Sequence, residues 1–293
     1  MKISTQEKKL IIAEIQKRMS NYESQSQMAK ALDLSPAQMS RILKGEIDRV
    51  LSDESFLKLA GELGIDIHGF EWKTAKTPTF NKIWVQLQAC KENGISAMLI
   101  DNAGVGKTHT AKEFVKENKN AVYIDCSQVK TKQLLVREIA RKFGLSHTGR
   151  YAEVYKGLVF YLNTSLSPLI ILDEAGDLAY PAFLELKALW NATEGLTGYY
   201  MMGADGLRAK IERNISFQKV GYTELYRRFG EKFQQVSPIG KDDLEEFKRQ
   251  QLMSVAKING MNNVQELYAK TNGSLTRLKI EFLKMKRTAN TAQ

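Results

Sequence analysis

Apolar residues recur along this chain with two different periods. Over residues 3–19, Leu10, Ile11, Ala13, Ile15 and Met19 return at helical spacing. Gln25–Leu32 predicts a second helix, a break falls at Asp33-Leu34, and a third helix opens with Ser35 as N-cap and Pro36 in its first position. Gly45 ends it, and Ser55–Leu63 predicts a fourth helix. Ala29 lets two helices cross closely, and Leu34, Met39 and Ile42 are expected to face inward, leaving Gln38, Ser40, Arg41 and Lys44 outward. From about residue 80 short apolar runs alternate with helical stretches. Strands are expected at Ile95–Ile100, Ala121–Cys126, Leu169–Asp173, Tyr199–Gly203 and Phe233–Val236. Helices are expected at Asn81–Glu92, Lys107–Lys116, Lys132–Phe143, Ala152–Leu162 and Pro181–Thr193, and beyond Pro238 the pattern is helical, most regularly over Asp242–Ile258. Such alternation predicts an α/β fold whose parallel sheet is covered by helices. The divisions are an all-α unit at 1–68, a linker at 69–79 carrying Lys, Thr and Pro78, a core at 80–238 and a small helical unit at 239–293.

Two segments carry the chemistry. Asp101–Thr108 reads DNAGVGKT, and it follows one expected strand and opens a helix. Gly104 and Gly106 leave the backbone bare, so the N–H groups of a segment running Asn102, Ala103, Gly104, Val105, Gly106, Lys107, Thr108 and His109 can turn onto phosphate oxygens. Lys107 would reach the β- and γ-phosphates of ATP, and the Thr108 hydroxyl would ligate Mg²⁺. Asp101 stands where this motif usually has its first glycine. In LIILDEAGD, residues 169–177, four apolar residues form a buried strand that presents Asp173 and Glu174 at its carboxyl end. Asp173 is expected to hold the metal through its water shell, and Glu174 to orient and deprotonate an attacking water. An ATPase site follows from the pair.

Composition narrows the class. The chain has 293 residues and 43% apolar content, sufficient for a full core. No apolar run approaches the ~18 residues that span a bilayer, and the first residues lack the pattern of a signal peptide. Cys90 and Cys126 lack metal-ligand spacing and are expected to be free thiols in the cytoplasm, while His68, His109 and His147 are scattered. The net charge of +10 favours an anionic partner, and nucleic acid is the usual one. The excess is clustered at Lys130, Lys132, Arg137, Arg141, Lys142 and Arg150 against Glu138, and at Arg208, Lys210, Arg213 and Lys219 against Glu212. A third cluster lies in the tail at Arg277, Lys279, Lys284, Lys286 and Arg287. Lys130, Lys132, Arg208, Lys210 and Arg213 are candidate phosphate contacts for largely sequence-independent double-stranded DNA binding.

Residues 20–68 resemble the helix-turn-helix of the lambda repressor and Cro class, which lays its second helix in the major groove; Gln38, Ser40, Arg41 and Lys44 are then candidate DNA contacts. The order of phosphate loop, Asp-Glu strand, polar strand end, arginine pair and terminal helical unit resembles the AAA+ ATPases. Within them the chain resembles the target-DNA activator family of replicative transposition typified by phage Mu transposition protein B. Lys82-Ile83-Trp84, Gly104–Thr108, Ile171–Ala175 and Met201-Met202-Gly203 carry that likeness. The resemblance implies a γ-phosphate-sensing position at Gly203-Ala204-Asp205, with Asp205 or Ala204 where Asn is usual. It implies an arginine finger within Leu225–Phe229, Arg228 first and Arg227 second, completing a neighbouring subunit's site. It also implies a nucleotide-sensing Arg277 in Gly273–Arg277, one residue later than the commonest spacing. The function implied is an ATP-dependent protein that forms a homo-oligomer, filament or ring, on target DNA and delivers it to a transposase, with no membrane partner. Alternatives are a helicase loader and a nucleotide-switched helix-turn-helix regulator.

Overall fold

In this computed structural model residues 3–67 and 72–291 are described; His68, and with it the domain border at 68 and the start of the linker at 69, lie outside the described residues. The N-terminal unit packs α1 (Thr5–Arg18), α2 (Gln25–Ala31), α3 (Pro36–Leu43) and α4 (Asp53–Leu63) around Ile11, Ile15, Met28, Met39, Ile42 and Phe56, all fully buried. Each such side chain contributes roughly 1.5–3 kcal/mol relative to an exposed one. Ser35 caps α3 through a capping box with Gln38, Pro36 opens the helix, and Gly45 follows its end at φ 81°.

The core begins earlier than the hydrophobic pattern suggests. Thr77 caps α5 (Pro78–Asn93) by accepting the Phe80 N–H, so the end of the expected linker is helical. Its remaining described residues are no free tether either: Trp72 meets the Phe282 ring edge-on at 5.2 Å, and the Lys73 N–H donates to Asn259 Oδ1. There follow β1 (Ser96–Ile100), α6 (Lys107–Glu117), β2 (Ala121–Asp125), α7 (Lys132–Lys142), α8 (Tyr151–Thr164), β3 (Leu169–Asp173), α9 (Tyr180–Ala192) and β4 (Gly198–Gly203). Then come α10 (Asp205–Ser216), α11 (Tyr222–Arg228) and β5 (Phe233–Gln234), and finally α12 (Lys241–Ile258), α13 (Val264–Thr271) and α14 (Leu275–Thr291). Neither α10 nor α11 is foreseen by the apolar pattern.

All strand pairs are parallel, in the order β2-β3-β4-β1-β5. One face is covered by α7, α8 and α9 over a cluster containing Leu135, Ile139, Leu158, Leu186 and Tyr199. The other is covered by α5 and α6 through Ile83, Leu87, Ala111 and Phe114. Burial on both faces explains why β1 and β3 read as continuous apolar runs. Their carboxyl ends lie on one edge of the sheet, separated by β4, and ligands of open parallel sheets bind at that edge.

Two further contacts position the site. The N-terminal unit docks on the far end of α7: Gln27 Nε2 donates to the Phe143 carbonyl at 2.9 Å and Arg141 Nη1 to the Ala31 carbonyl at 2.9 Å. The C-terminal unit sits on the loop between β1 and α6, where the Leu275 N–H donates to the Gly104 carbonyl at 3.0 Å.

Candidate functional site

The loop from Asp101 to Gly106 turns twice through left-handed backbone, at Gly104 (φ 77°) and Gly106 (φ 104°), conformations that L side chains rarely adopt. Gly106 then caps α6, so the free N–H groups of the first helical turn point into the loop. Lys107 is buried and donates to the Asp101 and Asn102 carbonyls at 2.6 and 2.8 Å. Burial pushes its ammonium below the ordinary lysine range, against the pull of Asp101, Asp173 and Glu174. Asn102 and Ala103 are exposed on the loop.

Parallel pairing brings the second motif to the first. Thr108 Oγ1 donates to Asp173 Oδ2 at 2.6 Å, and the Tyr123 hydroxyl donates to the same oxygen at 2.9 Å. Tyr123 escaped the sequence reading; the available signal was a hydroxyl in β2 two residues before Asp125, which pairs in register with Asp173. Glu174 follows at φ 50°, ψ 40°, a left-handed conformation rare for a non-glycine residue, which turns the chain off the strand and leaves Glu174 exposed. Burial and the adjacent Asp173 charge push its carboxyl above the usual range, while Lys107 opposes the shift.

Asp101 is not a loosened glycine position. It is buried; Oδ1 accepts the Asn102 N–H, and Oδ2 accepts the N–H groups of Val236 and Ser237 at 2.8 and 2.9 Å. The loop is thereby fixed to the chain leaving β5. Over the loop, a Cβ on Gly104 would lie 2.6 Å from Ser274 Oγ. His109 is part-buried, and its Nε2 is 3.0 Å from Thr74 Oγ1. Arg277 is exposed in the first turn of α14, and Asp205 is the exposed first residue of α10, its charge acting on Lys107.

This donor set fits a magnesium nucleotide. A hydroxyl and a carboxylate oxygen already converge at 2.6 Å, both hard ligands of the kind Mg²⁺ takes. The glycine turns and the buried ammonium fit the phosphates.

A family model described as an AAA domain matches residues 90–211, which span both motifs and β1–β4. Residues 90–211 are thus similar to an AAA domain. The Mu-like prophage FluMu DNA transposition protein B of Haemophilus influenzae is 27% identical over 142 residues, covering 48% of this chain and 49% of that protein. The ATP-dependent target DNA activator B of Escherichia phage D108 is 27% identical over 132 residues, covering 44% and 41%. The chain thus spans about half or less of the length of the curated relatives it matches. Among solved structures, the Aeropyrum pernix ORC1 protein in complex with DNA aligns with a TM-score of 0.47 at 18% identity, over 65% of this chain and 50% of that one. No described helix is long and apolar enough to cross a membrane.

The arginine pair divides. Arg228 is half-buried with its guanidinium 5.0 Å from the Trp190 ring, and its Nε and Nη1 are buried without hydrogen-bond partners. Arg227 is exposed and pairs with Glu231, just beyond the end of its helix, at 3.1 Å. Arg227 is thus the more exposed of the two.

The candidate DNA contacts divide as well. Lys130, 3.6 Å from Asp177, and Lys132, over the Tyr151 ring, are exposed. Arg213 is exposed beside Phe217. Lys210 is half-buried, its ammonium donating to the Gly176 carbonyl at 2.7 Å and to that of Leu178, and burial lowers its pKa. Arg208 lies over the Phe233 ring with a buried Nε. In α3, Arg41 is likewise spent, donating to Glu46 and to the Asp48 and Arg49 carbonyls. Gln38 accepts the Ser35 N–H, Ser40 is half-buried and Lys44 is exposed.

Proposed function

We propose that this chain is a nucleotide-dependent, DNA-binding AAA+ ATPase that assembles as a homo-oligomer on target DNA and presents it to a transposase. The observation that carries the enzymatic half is the meeting of Thr108 and Asp173 at 2.6 Å beside Lys107 and Glu174. Bound there, Mg²⁺-ATP supplies a γ-phosphoryl group for transfer to water. The loop N–H groups and Lys107 would hold the phosphates, and Thr108 and Asp173 would hold the cation. Tyr123 donates to Asp173 and keeps one carboxylate oxygen oriented. Glu174, with its raised basicity, orients the water and takes its proton. Arg227 reaches the site of a neighbouring copy, so hydrolysis and assembly are coupled.

The DNA half is supported by the exposed cations Lys130, Lys132, Arg213 and Lys219, and by the likeness to two proteins named for DNA transposition and target-DNA activation. Lys130 and α10 both border the turn at Ala175–Asp177, immediately after Glu174. A duplex held by these cations therefore lies close to the hydrolytic end of β3. Sequence-independent contact to phosphates suits a target selector, whereas the engagement of Arg41 within its own domain disfavours an operator-reading regulator.

Steady-state hydrolysis with and without random duplex tests the assignment. The wild-type protein is expected to turn over ATP faster with DNA, and Glu174→Gln to bind ATP with little turnover. Wild-type turnover by Glu174→Gln would remove the general base assigned here.

A further inference from the structure

The turn between α10 and α11 holds two large apolar side chains in solvent: Phe217 is 70% exposed and Val220 67%. The turn that displays them is stiff. Lys219 N–H donates to the Asn214 carbonyl at 2.9 Å and Gln218 N–H to that of Ile215 at 2.8 Å, with Gln218 left-handed at φ 52°, which closes the end of α10. The Tyr180 hydroxyl donates to the Val220 carbonyl at 2.9 Å. Gly221 lies so close to α9 that a Cβ there would be 2.5 Å from Leu184 Cδ2. The side chains are therefore held out by a turn braced against the core.

Their surroundings are cationic. Arg213 lies 5.7 Å from the Phe217 ring and Lys219 4.2 Å from the Tyr180 ring, and both are exposed. Both line a cleft of about 620 Å³ with Phe217. An apolar tip beside two exposed cations matches the two chemistries of a nucleic-acid duplex, stacked bases and flanking phosphates. A protein partner would have to bring acids to both sides of an apolar socket.

We propose that Phe217, with Val220 beside it, is a wedge that enters a base step of bound duplex and unstacks it, while Arg213 and Lys219 hold the phosphates on either side. This rests on the reading that DNA lies along α10. Opening the step on the side of the tip bends the duplex away from it, and flexible pyrimidine–purine steps yield most readily.

The test uses the full chain at saturating concentration, a non-hydrolysable ATP analogue, and duplexes carrying 2-aminopurine at TA steps. Anisotropy reports binding and fluorescence reports unstacking. Wild type is expected to bind and to raise the fluorescence several-fold. Phe217→Ser is expected to bind within about tenfold of wild type and to leave the fluorescence low, while Phe217→Leu keeps the rise. Phe217 is exposed, so matching melting temperatures are expected to show that both variants fold. An equal rise with Phe217→Ser overturns the wedge, as does wild-type binding without any rise; in both cases DNA binding itself stands. A loss of self-assembly in Phe217→Ser with the rise intact makes the tip a subunit contact instead. Absence of wild-type binding removes the DNA reading and the wedge together.

Discussion

The Asp101 carboxylate accepts the backbone N–H of Ser237 at 2.9 Å, across the mouth of the phosphate loop. The same oxygen accepts the Val236 N–H, so one side chain joins the end of β1 to the chain leaving β5. Asp101→Gly would match the commoner loop sequence and is nevertheless expected to destabilise the protein. It leaves two N–H groups without their acceptor, at a cost of about 2–3 kcal/mol. Asp101→Asn keeps an acceptor and is expected to cost about half as much. Urea unfolding measures both, and a neutral Asp101→Gly would show that the tie is incidental.

The close approach of Ser274 to Gly104, with the Leu275 N–H bonded to the Gly104 carbonyl, sets the C-terminal unit against the phosphate loop. Gly104→Ala adds a methyl group 2.6 Å from Ser274 Oγ at a residue with φ 77°. Both effects push α14 off the loop, and nucleotide affinity is expected to fall by about tenfold or more. Adding Ser274→Gly relieves the clash but not the backbone strain, so partial recovery is expected. Full affinity in Gly104→Ala would place the two units apart when nucleotide binds.

Arg227 and Arg228 are expected to fail in different ways. Arg228→Ala removes a guanidinium packed on Trp190 and should lower the melting temperature. Arg227→Ala should leave stability unchanged, because its pair with Glu231 is exposed, and should lower assembly-dependent hydrolysis instead. Mixing Arg227→Ala with Glu174→Gln should restore part of that hydrolysis, since an intact arginine then meets an intact site. Absence of rescue, with full activity of Arg227→Ala alone, contradicts a role in trans.

Docking of the N-terminal unit should weaken in acid. Burial opposes ionisation of Glu138, but the hydrogen bond and charge of Arg141 hold its carboxyl below the usual range. Arg141 is in turn held by Glu62 and Asp33 of the N-terminal unit, and His147 lies 3.3 Å from Asp33. A carboxyl lowered on folding contributes stability above its unfolded value of 4.5 and loses it as the pH falls through the folded value. Protection of the α2 amides, relative to intrinsic exchange at the same pH, should therefore fall below about pH 4.5. Glu138→Gln should flatten that dependence, and Arg141→Ala should speed exchange even at pH 7, by the loss of about 3 kcal/mol.

Much of this architecture is written in local pattern. Leu169–Asp173 appears as a strand at the bounds read from four consecutive apolar residues, because burial on both faces demands that run. The capping signals of α3 are local too, and they act where expected. Thr77 and Pro78 are as good a helix start as Ser35 and Pro36, but a Lys- and Thr-rich neighbourhood masks them. Helices α10 and α11 escape because Leu207, Ile211, Tyr222 and Leu225 are their only buried apolar anchors among many charges. The roles of Asp101 and Lys210 were illegible for another reason. Their partners are backbone atoms 32 to 136 residues away, and backbone groups leave no mark in a sequence.

Nucleotide-dependent binding of random-sequence duplex tests the central claim most directly. Wild-type protein and Glu174→Gln are titrated onto one duplex with ATP, with ADP and without nucleotide. Both proteins are expected to bind tightly with ATP and weakly otherwise, and only wild type to release DNA as ATP is consumed. Equal affinity in all three conditions, or a preference for one DNA sequence of ~10³-fold or more, would contradict an ATP-driven target selector.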